Sequence, residues 1–298
     1  MATYQPTLKQ LQYLVALSEH LHFGRAAEAC FVSQSTLSAG IRELESLLGV
    51  TLVERSRRVV RFTPLGQNVV DKARLILRAA DELTDMVQAA GKPLVGALRM
   101  AVIPTIAPFL LPRVLPRLRR ERPDLKLLLR EETSDTALDH LQNGRVDCVL
   151  LALPYAIGEA QHEIIAQDRL LVAYGRDHPD IPADSVVPDA IEQGHLLMLE
   201  DGHCLTEHAL AACNRPELRA SAAMIATSLH TLVQMVNNDL GVTMLPQMAI
   251  DAGILDGTDV VARPLESPRA VREIALVWRK NSPREADFRL LAAELRTG

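Results

Sequence analysis

Two of the four cysteines in this 298-residue chain, Cys204 and Cys213, stand nine positions apart, with His203 and His208 close by. A thiol meets oxidants as its thiolate. A free cysteine, with a pKa near about 8.5, ionises at neutral pH only with help from a cation, a helix N-terminus or hydrogen bonds. Asp201-Gly202-His203-Cys204 lies between an apolar strand-like run and a helical stretch, where unpaired N–H groups and the helix dipole are available. Oxidation of such a thiolate gives a sulfenic acid, which a second thiol converts to a disulfide. On one continuous helix the two residues would be roughly 13 Å apart at about 1.5 Å per residue. A disulfide needs Cα atoms within about 7 Å, so bonding requires the intervening segment to unwind. The scheme needs one sulfur that is ionised and reachable by oxidant. Two other readings stand beside it. Inert buried thiols are what the spacing alone favours, because free cysteine is commonly buried. His203, Cys204, His208 and Cys213 also have the ligand types of a zinc site, although their spacing fits no standard pairing. Cys30 and Cys148 read as core residues, and Met224, Met235, Met244 and Met248 as packing.

The elements that would position this chemistry belong to an ordinary globular chain. Hydrophobic residues make up 48% and charged residues 23%, enough to bury a core without disulfide staples. The formal charge of −5 excludes a polybasic molecule, but it is uneven: residues 1–92 carry +2 and the remainder −7. The first residues lack the basic and apolar regions of a signal peptide, and no apolar run approaches the roughly 20 residues of a membrane span. A cytoplasmic protein without metal or cofactor is the expectation.

The first third reads as helical. Thr7-Leu8-Lys9-Gln10 has capping-box form and opens a helix to about His20; Gly24 to Cys30 reads as a second, short helix. Ser33 looks like the N-cap of a third, which Gly49 should end in a left-handed turn. Its apolar stripe is Leu37, Ile41, Leu44 and Leu48. Gln34, Ser35, Ser38 and Arg42 cluster within about 100° of one another beside that stripe, with Ser33 and Thr36 at the helix start. Two helices, a tight turn and a hydroxyl- and amide-rich helix start describe a helix-turn-helix, whose second helix enters the DNA major groove. Residues 52–55 and 59–62 can pair as short strands around a turn at Ser56. Arg55, Arg57, Arg58 and Arg61 then make a basic wing suited to phosphates, which position a protein without specifying sequence. Thr63-Pro64 starts a helix of about 27 residues. Its positions Val69, Ala73, Ile76, Ala80, Leu83 and Val87 form a heptad seam that a second copy would cover.

Beyond Pro93, short apolar runs alternate with helices: 97–103, 125–129, 147–153, 170–174, 196–200, 242–245 and 274–278. The pattern argues for parallel sheets in an α/β arrangement. A chain that leaves one sheet, builds another and returns makes two lobes, with a cleft between them as the default ligand position.

Taken together, residues 23–29, Val32-Ser33-Gln34-Ser35-Thr36-Leu37-Ser38, Leu44-Glu45-Ser46-Leu47-Leu48-Gly49 and 52–66 resemble the LysR-type transcription regulators, over essentially the whole chain. The resemblance implies an α+β multidomain protein. A winged helix-turn-helix would span residues 1–63, a linker and dimerisation helix 64–92, and a two-lobed, periplasmic-binding-protein-like α/β regulatory domain 93–298. Its lobes would be 93–167 with 270–298, and 168–269. It further implies dimers assembled into tetramers on double-stranded operator DNA, and recruitment of RNA polymerase.

Residues 197–213, with Ile103-Pro104-Thr105, Leu111-Pro112 and Asp147-Cys148-Val149, are similar to the peroxide-sensing members of that family. By that resemblance Cys204 reacts with hydrogen peroxide and Cys213 resolves it. Thr105 and His203 shape the peroxide pocket, Ser134 supplies a hydroxyl where the family pattern has threonine, and Arg272 supplies the cation. Thr206 departs from the pattern, which has a basic residue there. The alternatives are a regulator of this family controlled by a metabolite between the lobes, with incidental cysteines, and a thiol peroxidase on the same two-lobed scaffold. The winged N-terminus speaks against an enzyme.

Overall fold

The computed structural model describes residues 5–55, 60–88, 93–176, 186–188, 191, 196–214 and 225–296. They fall into two compact units divided near residue 91. The turn bearing Arg57 and Arg58 lies outside the described residues.

In the N-terminal unit, local signals are realised as helix ends. Helix α1 (Leu8–His20) has its capping box complete, the Thr7 hydroxyl accepting from the Gln10 amide and the Gln10 side chain accepting from the Thr7 amide. Helix α2 (Phe23–Ala29) starts one residue earlier than expected because His22 Nδ1 caps it, accepting from Gly24 and Arg25; histidine is an uncommon cap. Helix α3 (Gln34–Leu48) begins at the Ser33 cap and ends at Gly49, in the left-handed region. Leu37, Ile41 and Leu44 are fully buried, with Leu14 and Leu17 of α1, while Leu48 at the end of the stripe is exposed. Gly40 allows α1 and α3 to approach closely: a Cβ there would lie 2.7 Å from the Tyr13 ring. Strands β1 (Val53–Arg55) and β2 (Val60–Phe62) pair antiparallel. The Glu45 carboxylate ties β1 to α3 by accepting from the Leu52 and Val53 amides. Helix α4 (Pro64–Gln88) follows. Of the seam, Ala73 is buried in this unit's core, whereas Ile76 is 50% and Leu83 62% exposed; the Val87 side chain lies outside the description.

The second unit is built on a seven-stranded sheet, ordered Val260–Pro264, Gln161–Gly175, Val271–Trp278, Cys148–Leu153, Gly96–Val102, Leu125–Glu131, with Thr243–Pro246 also paired to Gln161–Gly175. Strands β3 (Gly96–Val102), β4 (Leu125–Glu131) and β5 (Cys148–Leu153) are parallel, joined through helices α5 (Ala107–Glu121) and α6 (Ser134–Gln142). The rest corrects the expectation of parallel sheets. Strand β6 (Gln161–Gly175) is far longer than the predicted 170–174 run, and β11 (Val271–Trp278) lies antiparallel to both β5 and β6. The reason is topological: β6 carries the chain out to the second lobe and β11 brings it back, so they run in opposite directions. The far half of β6 pairs antiparallel with β9 (Thr243–Pro246) and with β10 (Val260–Pro264), a strand the apolar pattern did not mark. Short β7 (Met198–Leu199) and β8 (Ile225–Ala226) pair parallel. Helix α7 (Cys204–Cys213), α8 (Leu229–Asn237), α9 (Gln247–Asp251) and α10 (Glu285–Arg296) complete the unit. Two hydrophobic cores result. One gathers β3, β5, the near end of β11 and α10, and includes Cys148 and Cys204; the other gathers the far half of β6, β9, α8 and most of α7, and includes Cys213.

Candidate functional site

The two cysteines are the first and last residues of a single helix, α7. Both are free thiols, and nine residues of helical rise hold them roughly 13 Å apart. The separation required by the unwinding argument is therefore present in this reduced state. The helix has no side-chain N-cap: His203 occupies the cap position without capping. Instead the Cys204 amide donates to the Ser134 hydroxyl at 3.3 Å, across 70 residues of sequence.

Arg272 anchors the surroundings. Its position on β11 is directly opposite Asp168 on β6, where β6 passes from one lobe to the other. The guanidinium is 0% exposed. It donates from Nε to Asp168 Oδ2 at 3.0 Å, from Nη1 to Thr105 Oγ1 at 2.9 Å and from Nη2 to the Thr105 carbonyl at 3.0 Å. The second Asp168 oxygen accepts from the Met248 amide at 3.0 Å. A buried cation needs this degree of pairing to be tolerated, and with its contacts fixed it presents a constant positive potential to Cys204. Thr105 accepts from Arg272, which leaves its own hydroxyl hydrogen to donate.

The expectation of a reachable thiolate is not met in this state. Cys204 is 1% exposed and Cys213 2%. Burial pushes the Cys204 thiol upward; Arg272, the Ser134 hydroxyl and the backbone amides of Ala152 and Cys204 pull the other way. His203 is not the activating cation, because burial lowers its pKa more than Glu200 raises it. Cys204 therefore rests as a sealed thiol inside an array that stabilises negative charge on sulfur. Thr206, where the family pattern has a basic residue, is buried and donates to the Leu199 carbonyl at 3.0 Å. It fixes the start of α7 and adds no charge.

His208, one turn after Cys204, donates from Nε2 to the Pro154 carbonyl at 2.9 Å, taken as the neutral tautomer with the proton on that nitrogen. Burial lowers its pKa to about 4, and Arg272 adds to the shift. Among the described residues no cluster of His, Cys, Asp and Glu is gathered closely enough to hold a metal ion. Cys148 is fully buried, its thiol pushed up to about 12 by desolvation, and Cys30 is half-buried. Sequence reasoning missed Asp168 and the amides of Ala152 and Met248. The only available signal was an isolated acid before the apolar run at 170–174.

In the N-terminal unit, Ser33 caps α3 by accepting from the Thr36 amide, and its hydroxyl lies 2.8 Å from those of Ser35 and Thr36. Gln34, Ser35, Thr36 and Arg42 are exposed on α3, and Ser38 is half-buried. Arg55 lies on β1.

The model of the bacterial regulatory helix-turn-helix protein, lysR family, matches residues 8–67, and that of the LysR substrate binding domain matches residues 91–298. The chain belongs to the LysR family of transcription regulators. Within it, the chain is 42% identical over 285 residues to the HTH-type transcriptional regulator EstR of Acinetobacter baylyi, covering 95% of this chain and 94% of that protein. It is 40% identical over 279 residues to the hydrogen peroxide-inducible genes activator of Haemophilus influenzae, covering 93% and 91%. Among solved structures, a full-length cysteine-to-aspartate variant of OxyR from Pseudomonas aeruginosa aligns with a TM-score of 0.79 at 33% identity, over 98% of this chain and 95% of that one. Among the described residues no helix is long and apolar enough to cross a membrane.

Proposed function

We propose that this chain is a DNA-binding transcription regulator that senses hydrogen peroxide through Cys204 and Cys213. The observation that carries the reading is the placement of both thiols at opposite ends of α7, one of them beside Ser134 and the Arg272–Thr105 pair. The Cys204 thiolate attacks one oxygen of hydrogen peroxide, breaking the O–O bond. Sulfur is oxidised to sulfenic acid, and the released hydroxide takes a proton to become water. Arg272, Thr105 and Ser134 are the groups we assign to holding negative charge on the attacking sulfur and the departing oxygen; His203 borders the pocket as a neutral ring. The Cys213 sulfur then displaces the sulfenic oxygen as a second water, leaving the disulfide. Two thiols and one peroxide give one disulfide and two waters. Because the bond cannot span intact α7, oxidation converts helix to a different local structure, an order change able to bias a two-state protein.

The output is transcriptional. Ser33, Gln34, Ser35, Thr36, Ser38 and Arg42 face the bases and nearby phosphates of a double-stranded operator, while Arg55, Arg57 and Arg58 grip the backbone. The exposed positions of α4 pair two chains, dimers associate into tetramers, and the oxidised form recruits RNA polymerase in the cytoplasm. The role we assign is regulatory, supported by the helix-turn-helix at residues 8–67.

Intact mass before and after a brief peroxide pulse tests the reading. The expected result is a loss of two hydrogens and a peptide linking Cys204 to Cys213, with Cys204→Ser abolishing the response of operator binding to peroxide. A chain that stays fully reduced, while a small metabolite shifts operator binding, would establish the metabolite-controlled alternative.

A further inference from the structure

A sealed Cys204 raises the question of where an oxidant enters. Leu153, Pro154 and Tyr155, where the chain leaves β5, have two sets of neighbours. On one side they line a cavity of about 550 Å³ that is broadly open to solvent, together with Ile157, His162 and Val271. On the other side they meet α7: the Pro154 carbonyl accepts from His208, and Leu153 shares the core that contains Cys204. Tyr155 is half-buried and its ring packs against that same core.

The Tyr155 hydroxyl donates to Asp135 Oδ1 at 2.5 Å. Asp135 also reaches the turn before Cys204. Its amide donates to the Gly202 carbonyl at 3.4 Å, and a Cβ on Gly202 would lie 3.5 Å from Asp135 Oδ2. Its neighbour Ser134 receives the Cys204 amide. Burial, the hydrogen bond to Asp135 and the Asp135 and Glu207 carboxylates hold the Tyr155 phenol protonated, so the hydroxyl remains a donor across the physiological range. Asp135 and Tyr155 thus bridge the start of α6 and the end of β5, over the turn that delivers the reactive sulfur.

We infer that Tyr155, latched by Asp135, is the residue that controls which oxidants reach Cys204, with the cavity beyond it as the entrance. The inference rests on the peroxide-sensing reading for its biological use. The latch itself concerns only access to the thiol. Tyr155 acts by position and takes no part in the sulfur chemistry. With the hydroxyl latched, only brief openings admit a molecule as small as hydrogen peroxide. Removing the hydroxyl makes openings more frequent, and removing the ring widens the path for bulkier reagents.

The test uses reduced full-length protein and follows the Cys204 peptide by mass spectrometry during alkylation with iodoacetamide and with the bulkier N-ethylmaleimide, across a pH series. Tyr155→Phe and Asp135→Ala should each raise the plateau rate of Cys204 alkylation about three- to fivefold, as expected for losing one partly exposed hydrogen bond. The double variant should be no faster than either single one. Tyr155→Ala should raise the N-ethylmaleimide to iodoacetamide rate ratio at least fivefold. Wild-type rates and ratios in all variants would overturn the latch, and so would a shifted pH midpoint under an unchanged plateau, which is an electrostatic effect on the thiol. Faster alkylation in the variants of a protein whose Cys204 proves inert to peroxide would sustain the latch while refuting the sensor reading.

Discussion

Exposed Ala211 offers a direct handle on the link between α7 and the redox equilibrium, because it lies on the helix near Cys213. If the reduced state is the intact helix and the disulfide requires unwinding, any change that weakens the helix alone favours the disulfide. Ala211→Gly weakens an exposed helical position by about 0.8–1.0 kcal/mol. For a two-electron couple about 30 mV corresponds to about 1.4 kcal/mol, so the reduction potential should fall by about 20 mV. The equilibrium constant for oxidation should rise roughly fivefold by the same conversion. The intact helix also closes about six i to i−4 hydrogen bonds within its ten residues. At about 0.5–1.5 kcal/mol net each, unwinding costs about 3–9 kcal/mol and makes the wild-type disulfide more oxidising by about 60–190 mV than an unopposed one. The assay is a redox titration in glutathione or dithiothreitol buffers, with the Cys204–Cys213 peptide quantified at each poise. Hydrogen exchange over residues 204–213 should show protection in the reduced form and its loss in the oxidised form. An Ala211→Gly potential within about 5 mV of wild type, where about 20 mV is expected, together with unchanged amide protection after the disulfide forms, would refute the coupling of oxidation to unwinding.

Replacing Arg272 with Gln leaves Asp168 buried without its cation; we expect a loss of about 3–5 kcal/mol of stability and an upward shift in the pH midpoint of Cys204 alkylation, both read on the same sample. His208 should couple the switch to acidity. Its pKa is about 4 inside α7 and about 6.5 when solvated, so the helix keeps this contribution above about pH 6.5 and loses it as pH falls toward 4. At pH 5 the unwound form should gain about 2 kcal/mol, and His208→Gln should flatten that part of the potential-versus-pH curve relative to wild type. In operator titrations, Gln34→Ala and Arg42→Ala should change base preference, whereas Arg57→Ala and Arg58→Ala should weaken all sequences alike and lower the salt slope by about one each; a sequence-selective loss in the latter pair would contradict the wing assignment.

Legibility followed the range of the interaction. The Thr7–Gln10 capping box, the Ser33 cap and the Gly49 stop depend on residues within a turn of one another, and each was readable directly. The start of a helix after His203 was equally local, whereas its continuation to Cys213 entered only as the condition of the distance argument, and the structure supplies it. The burial of Cys204 was readable only as the general tendency of free cysteine, and what seals it was not. It results from β5 and the near end of β11 closing over a sulfur that arrives from a different stretch of chain. The Arg272–Asp168 pair joins residues 104 positions apart, and only the antiparallel register of β6 and β11 makes them neighbours. That register was hidden for the same reason, since a strand returning from a distant lobe looks in sequence like any other apolar run. The strand at 260–264 went unnoticed because Val260, Val261 and Ala262 give way to Arg263 and Pro264, a short edge without alternation.

Helix α7 begins with its first side chain seated in one core and ends with its last in the other. It is a strut seated in two cores, and the proposed crosslink between its ends would load both anchorages at once. Such a load would reach surfaces far from sulfur without any small molecule being held there. Thermodynamic reciprocity would carry the effect backward: whatever fixes the spacing of the two cores would also reset the oxidant dose at which the strut gives way, so the threshold of such a device would belong to both cores and not to one thiol.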